Sequence, residues 1–363
     1  MKVEKRLEQP LARTVYVTAL SILFVLVVVG ILISLVGANP VQTYVIMFRG
    51  AFGTTYALTE TLVKAIPLIL TGLAVLLAFR VKFWNVGAEG QFAIGAAVGA
   101  GFALYMGQAI SDGFKLPILI MTAFVGGALW GVFPALLKVS LGINEILSTL
   151  MLNYVAILGV EYLFYGPWSD PGAFGFGGTA MIAKEFWLPK LSGRLHIGIF
   201  VALGVALLLT FLLNNTRWGY EAAVVGDNPK AARYAEINVV KTILIVAAVS
   251  GGLAGIAGAV EVAGVAHRLQ KGLTVGYGFT AIIVVVLARL SPIRTIIVSV
   301  LLAGLLVGGD QLQLTMKLPS TVAVMLQGAL FLSVLAGEFF IRYKLTFPHL
   351  RLSKGKEGIW IRQ

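Results

Sequence analysis

Ten runs of apolar residues recur along this chain, at 15–36, 58–79, 86–106, 116–137, 143–165, 196–213, 242–265, 273–290, 295–309 and 319–341. A helix needs about 20 mostly apolar residues to cross the hydrocarbon of a bilayer. Inside a bilayer every backbone N–H and C=O must be satisfied by the protein itself, so long runs of this kind fold as helices. A membrane barrel would show short alternating segments instead. The expected fold is all-α and polytopic, with about ten transmembrane helices. The eighth and ninth runs meet across Ser291-Pro292, as a tight hairpin turn or a kink in one longer element.

Composition supports this reading. Charged residues make up only 12% of the 363, against roughly 25% in soluble domains. A soluble fold could not cover its surface with so few, which excludes a soluble enzyme, a disordered chain and a disulfide scaffold. Cysteine is absent, so disulfides, thiolate catalysis and Cys-ligated metals are excluded too. A net charge of +12 would suggest nucleic acid in a soluble protein. Here it fits the excess of Lys and Arg on cytoplasmic loops, and no nucleic-acid partner is expected. An even number of spans puts both termini on one side. With that side cytoplasmic, roughly two thirds of the 28 Lys and Arg fall on it.

The chain reads as a single membrane domain over 1–363. It has a cytoplasmic start at 1–14, a helical bundle over 15–341 and a basic cytoplasmic tail over 342–363, set against anionic headgroups. The first run exceeds the 7–15-residue apolar core of a signal peptide and reads as a retained helix. Three connections are long. Segment 37–57 is external and partly apolar, as an interfacial helix would be. Segment 166–195 is external and rich in Gly, Pro and aromatics. Segment 214–241 is the largest cytoplasmic loop.

Glycines recur in threes and fours, as in Gly95 and Gly99, Gly127 and Gly131, Gly251 and Gly255, Gly304 and Gly308. This spacing lets helix backbones approach closely, for tight packing or for a sliding interface. Among polar residues, Glu60 precedes Lys64 by four, a spacing that pairs them on one helix face. Asn144 and Glu145 open the fifth run, where they cap the helix or take part in coupling. Asn153 lies mid-run, with Ser148 and Thr149 one turn earlier, as an interhelix hydrogen bond or a pathway residue. Glu161, Glu261, Asp310 and Glu338 lie near span ends, and His267 just outside one, where snorkelling to water accounts for them.

The most unusual stretch is Phe83-Trp84-Asn85-Val86-Gly87-Ala88-Glu89-Gly90-Gln91. Irregular backbone at membrane depth survives only where it is buried in protein or lines a cavity. A helix broken here opens its backbone, with Asn85, Glu89 and Gln91, to a partner or solute. Gly276-Tyr277-Gly278-Phe279-Thr280 is a fainter counterpart at the start of the eighth run. Gly-interrupted segments in matching positions mark inverted-repeat transporters. In the large inner loop, Asn228 suits an N-cap and Pro229 the first helical position, for a short helix to about Glu236. Ala231, Ala232 and Ala235 give it a small flat face, while Arg233 and Tyr234 reach outward. Alanine anchors poorly in lipid, so this helix suits a groove in another protein.

These stretches resemble the permeases of bacterial ATP-binding-cassette (ABC) importers, in the branched-chain amino acid, ribose and simple sugar superfamily. The likeness runs over about residues 60–340 and rests on the inner loop, on Phe83 to Gln91, on Gly142 to Asn153, and on Gly276 to Thr280 with the run to Pro292. The Asn85–Gln91 and Asn144–Asn153 runs resemble the nucleoside (simple sugar) branch most. Glu221-Ala-Ala is similar to the EAA motif of other importer classes, but Gly226 follows Glu221 by five residues rather than six, so that class's fold is not carried over.

The resemblance implies a multi-pass subunit of the bacterial cytoplasmic membrane, with a possible inverted repeat. It would take solute from an external substrate-binding lipoprotein and pair with a second permease subunit, a different chain or a copy of itself. It makes Asp227, Asn228, Pro229, Ala232, Arg233 and Tyr234 the segment coupled to an ATPase. The chain has no G-x-x-x-x-G-K-[ST] loop, so ATP and Mg belong to partner subunits and no cofactor is expected on this chain. Pathway candidates are Asn85, Glu89, Gln91, Asn144, Glu145, Asn153 and Phe279, and the aromatics Phe83, Trp84, Tyr154 and Phe279 permit a nucleobase. The Gly-rich 172–178 run reads as a flexible docking loop. A simple-sugar importer is the alternative substrate. A stand-alone ion-coupled carrier would need a mid-membrane carboxylate relay, and an intramembrane enzyme would need paired catalytic residues within spans. Neither pattern is evident.

Overall fold

A computed structural model describes residues 2–5, 11–173 and 177–346. The tail from 347 on, and part of the 172–178 run, therefore lie outside the described residues, as does the side chain of Glu338. Each of the ten apolar runs coincides with a helix. The first is α1 (Leu11–Leu35). It is followed by α2 (Pro40–Phe52), where Asn39 caps the helix by accepting the Val41 and Gln42 N–H groups at 3.0 and 3.2 Å. α2 turns back from α1 by 112°. The interfacial helix expected over 37–57 is thus a helix folded onto protein. Thr43, Met47 and Ala51 are buried, and the Tyr44 hydroxyl donates to the Leu26 carbonyl at 2.7 Å.

The centre is α3 (Thr55–Arg80), buried along almost its whole length. Around it follow α4 (Ala88–Tyr105), α5 (Asp112–Leu141), α6 (Glu145–Tyr165) and α7 (Gly198–Asn215). The inner loop holds two helices, α8 (Arg217–Asp227) and α9 (Pro229–Tyr234), of which only the second was expected. The helix expected to reach Glu236 stops at Tyr234, because Glu236 takes a left-handed φ of 59°. α10 (Val239–Glu261) continues as a π-helical turn to Ala266. Last come α11 (Tyr277–Leu287), α12 (Pro292–Met316) and α13 (Thr321–Arg342).

Among the described residues, six helices are long and apolar enough to cross a membrane alone: α3, α5, α6, α7, α10 with its π turn, and α12. The stretch Ala19–Leu35 of α1 also passes that test together with α2, as a bent pair. The eighth run corrects the expectation of a full span. Its helix is confined to 11 residues and is preceded by irregular backbone. The ninth run is longer than it reads, at 25 residues. Ser291-Pro292 is a turn, not a kink: Arg289 and Leu290 adopt φ of 50° and 55°, and Pro292 opens the new helix.

Glycine sets the spacing where α4, α5 and α10 meet. A Cβ on Gly95 would strike the Gly255 backbone, and one on Gly131 would lie 2.7 Å from the Ala247 carbonyl. The expected small-residue faces are thus contact surfaces between backbones. At the end of the bundle where α3 begins, a hairpin of two short strands, β2 (Lys190–Ser192) and β3 (Leu195–His196), closes a segment laid over α10's exit. The N–H groups of Thr179, Ile182 and Leu188 donate to the carbonyls of Leu269, His267 and Ala263 at 2.9, 2.9 and 3.0 Å. The first strand itself, β1 (Lys2–Lys5), pairs antiparallel with β4 (Tyr343–Thr346), from Lys2 opposite Thr346 to Lys5 opposite Tyr343. The two ends of the described chain therefore lie together.

Candidate functional site

A helix starts with amide groups that no residue of its own first turn can satisfy. α4 and α11 both start at a glycine N-cap, Gly87 and Gly276, with no side-chain cap of their own. Each is completed from elsewhere in the chain. For α4, Asn153 of α6 accepts the Gly90 N–H at 2.8 Å and donates to the Val86 carbonyl at 2.8 Å. Thr149, one turn earlier on α6, accepts the Val86 N–H at 3.2 Å. For α11, the Glu89 carboxylate accepts the N–H groups of Gly276 at 2.8 Å and Gly278 at 2.5 Å. A carboxylate is the natural partner for the positive end of a helix dipole. Glu89 sits in the first turn of α4 and caps α11, so one anion lies at two helix starts.

The two starts meet at backbone distance. A Cβ on Gly278 would collide with the Glu89 amide nitrogen and lie 2.7 Å from its Cα. Glycine is therefore required there by space rather than by φ. Beside this junction, Asn85 and Gln91 exchange amide hydrogen bonds at 2.9 and 3.1 Å. Asn85 also donates to Ser250 of α10 at 3.1 Å, and Ser250 donates to the Ala74 carbonyl of α3 at 2.7 Å. Asn85, Glu89, Gln91 and Asn153 are all buried. The carboxylate expected to open toward a partner or solute is instead enclosed, because the second irregular segment supplies its donors.

At the opposite end of α3 from the β-hairpin, α8 and α9 lie against the helix terminus. The Lys82 ammonium donates to the Asp227 carbonyl at 3.3 Å, and a Cβ on Gly226 would strike the Arg80 carbonyl. Asn228 caps α9, accepting the N–H groups of Lys230 at 3.0 Å and Ala231 at 3.2 Å. Ala232 is fully buried, whereas Arg233 is exposed and Tyr234 is 92% exposed. α9 thus seats one small side chain inward and offers its larger ones to the surface. Nearby, Lys138 at the end of α5 pairs with Glu145 at 2.5 Å.

Along the chain, a family model described as the branched-chain amino acid transport system / permease component matches residues 57–335. The chain belongs to this permease family. Among curated proteins, the permease is 34% identical to a guanosine ABC transporter permease of Bacillus subtilis, over 86% of this chain and 91% of that one. It is 32% identical to a glucose ABC transporter permease of Haloferax volcanii, over 90% of this chain and 88% of that one. It is 27% identical to a nucleoside ABC transporter permease of Lactococcus lactis, over 95% and 96%.

Within the permease, four of the seven pathway candidates form the enclosed junction. Asn144 and Glu145 lie apart from it at the start of α6. Asn144 caps that helix through the Ile146 and Leu147 N–H groups at 2.9 and 3.4 Å, and Glu145 holds Lys138. Phe279 is 40% exposed on α11, next to Gly278 of the junction. Of the other aromatics, Trp84 and Tyr154 are exposed, but Phe83 is wholly buried beneath the Lys138 ammonium. The expected Glu60–Lys64 pair does not form. Glu60 pairs with Arg194 at 2.9 Å, and Lys64 pairs with Asp310 across helices. Asp310 is thus an ion-pair partner rather than a side chain reaching only for water. Sequence spacing missed both pairs, because the partners are 134 and 246 residues away.

Proposed function

We propose that the permease is the membrane half of an ATP-driven nucleoside importer. It receives solute from an external binding lipoprotein and works with a second permease subunit, a different chain or a second copy. The observation that carries the substrate class is the likeness to relatives named for guanosine and nucleoside transport, which extends over most of both chains. α9 and the two residues before it are the contact to the ATPase subunits, through Asp227, Asn228, Pro229, Arg233 and Tyr234, while Ala232 seats the helix on the bundle. ATP and Mg stay on those subunits. In support, α9 is held to the terminus of the central helix while its Arg233 and Tyr234 face outward.

In this reading the bundle makes ten passes, in the cytoplasmic membrane of a bacterium, with both termini and α8–α9 inside. The pairing of β1 with β4 supports ends on one side. α4 and α11 are two half-helices of an inverted repeat, whose starts converge within the membrane around Glu89. Asn85, Glu89, Gln91 and Asn153 then hold the pathway's hinge together, and Phe279 borders the path itself.

The test is uptake of radiolabelled guanosine by proteoliposomes holding the assembled transporter and its binding protein. The reading requires ATP-dependent uptake that is lost without the ATPase subunit. Uptake that persists without it identifies an ion-coupled carrier and overturns the proposal. The relative named for glucose favours a second reading, a sugar importer. Uptake of glucose with no competition by guanosine selects that one.

A further inference from the structure

Cavities of several hundred Å³ open along the described part of the bundle. Two, of about 560 and 520 Å³, are lined by apolar side chains of α1, α2, α11, α12 and α13 and suit lipid chains. The third is different. It has a volume of about 440 Å³ and lies between α2, α3 and α12, with Arg49, Glu60, Lys64, Asp310, Gln311 and Thr315 in its wall. That size falls in the range of about 300–1,000 Å³ typical of small-molecule sites. Gly50 lets α2 close it: a Cβ there would lie 2.6 Å from the Gln311 side chain. Arg194 of the β-hairpin reaches Glu60, so the cavity sits at the end of the bundle away from α8 and α9.

The wall carries Arg49, Lys64, Glu60 and Asp310, and each carboxylate is held by one cation, Asp310 by Lys64 and Glu60 by Arg194 from the hairpin. Lys64 is bound to Asp310, and their side chains remain 30% and 55% exposed. Ionised groups inside a membrane bundle face water or protein rather than hydrocarbon, so the cavity is an aqueous one. A phospholipid headgroup would need a cluster of uncommitted cations, and here Lys64 and Arg194 are each committed to a carboxylate, which leaves Arg49 alone. An uncharged solute with several hydroxyls fits better. Carboxylates accept from adjacent hydroxyls, and Lys64, Arg49 and the Gln311 amide donate to ring or base acceptors. One acceptor is already free: Glu60 Oε1 is buried and finds no hydrogen-bond partner among the described residues.

Resting on the importer reading, we propose that this cavity is the first site at which the permease itself holds its solute, an uncharged polyhydroxylated molecule such as a nucleoside or sugar. The carboxylates of Glu60 and Asp310 grip the hydroxyls.

Saturation-transfer NMR on the permease–ATPase complex in nanodiscs, without the external binding protein, tests this with guanosine and D-glucose as probes. The expected result is saturable binding of one probe. It weakens about tenfold or more in Glu60→Gln, which removes a charge-assisted hydrogen bond. It also weakens in Thr315→Trp, which fills the space from an exposed position. Leu332→Trp, in an apolar cavity, leaves it unchanged. No saturable binding of either probe overturns the proposal, as does unaltered affinity in Thr315→Trp. So does loss of the signal on replacing neutral lipid by phosphatidylglycerol, which marks a headgroup site. The two readings fail separately. Glucose binding that is lost in Thr315→Trp keeps the cavity and removes the nucleoside assignment. ATP-driven guanosine uptake with a wild-type KM in Thr315→Trp keeps the importer and removes the cavity.

Discussion

Glu89 shows how much a single side chain can hold. Its two oxygens satisfy two amides of a helix that begins 187 and 189 residues away in the chain. In Glu89→Gln the side chain keeps one acceptor and turns an NH₂ toward a backbone N–H. One buried donor is then left unpaired, at a cost of about 1–3 kcal/mol. The expected outcome is a lower unfolding temperature for the solubilised transporter and uptake reduced about tenfold, with membrane insertion retained. Wild-type uptake would restrict Glu89 to a structural role. His196 gives a second prediction. It lies in β3, before α7 begins, and its ring accepts the Gly198 N–H at 3.2 Å. Burial, aided by nearby His267, lowers its pKa from 6.5 to about 4. The folded state therefore binds fewer protons than the unfolded one between those values, and stability falls as pH drops through that window, by up to about 3 kcal/mol. Melting curves at pH 7.5 and pH 5 should separate, and His196→Asn should narrow the gap.

Two kinds of element give opposite expectations on mutation. Where α4, α5 and α10 meet, backbones touch. Gly255→Val therefore has nowhere to place its side chain, since a Cβ there already strikes the Ala123 carbonyl. No folded protein should be recovered after size-exclusion chromatography, whereas Gly204→Val, which meets nothing within 4 Å, should be recovered normally. On α9 the expectation is functional. Arg233→Glu and Tyr234→Ala alter exposed side chains, so folding should persist while stimulation of the partner's ATPase falls about tenfold. Wild-type stimulation in both would remove α9 from the coupling role. Apolar run length found these elements because a bilayer demands it. It overran α11 because Leu273 and Val275 are as apolar as a helix while their backbone is irregular. It missed α8, a short helix with Gly219 and Gly226 packed against other backbones. The break at Phe83–Gln91 was legible from its glycines and amides. Its closure by Gly276 and Gly278 was not, since spacing along a chain carries no information about contacts across it.

For the molecule as a whole, sidedness can be read directly, because the chain contains no cysteine. Single cysteines placed at Lys230, on α9, and at Lys184, in the segment over α10, should react with an impermeant maleimide from opposite faces of a cell. Labelling of both from one face would overturn the topology proposed here. The link between Glu89 and α11 also has a consequence in time. At about 5–20 residues per second, a ribosome needs roughly 10–40 s to travel the 187 residues from Glu89 to Gly276. Throughout that interval the nascent chain holds a carboxylate whose docking partner does not yet exist. The part already made can reach the bilayer, but it cannot finish folding until Gly276 and Gly278 emerge. Chains truncated before Gly276 should therefore be cleared by quality-control proteases, and supplying the missing C-terminal part from a separate message should rescue them.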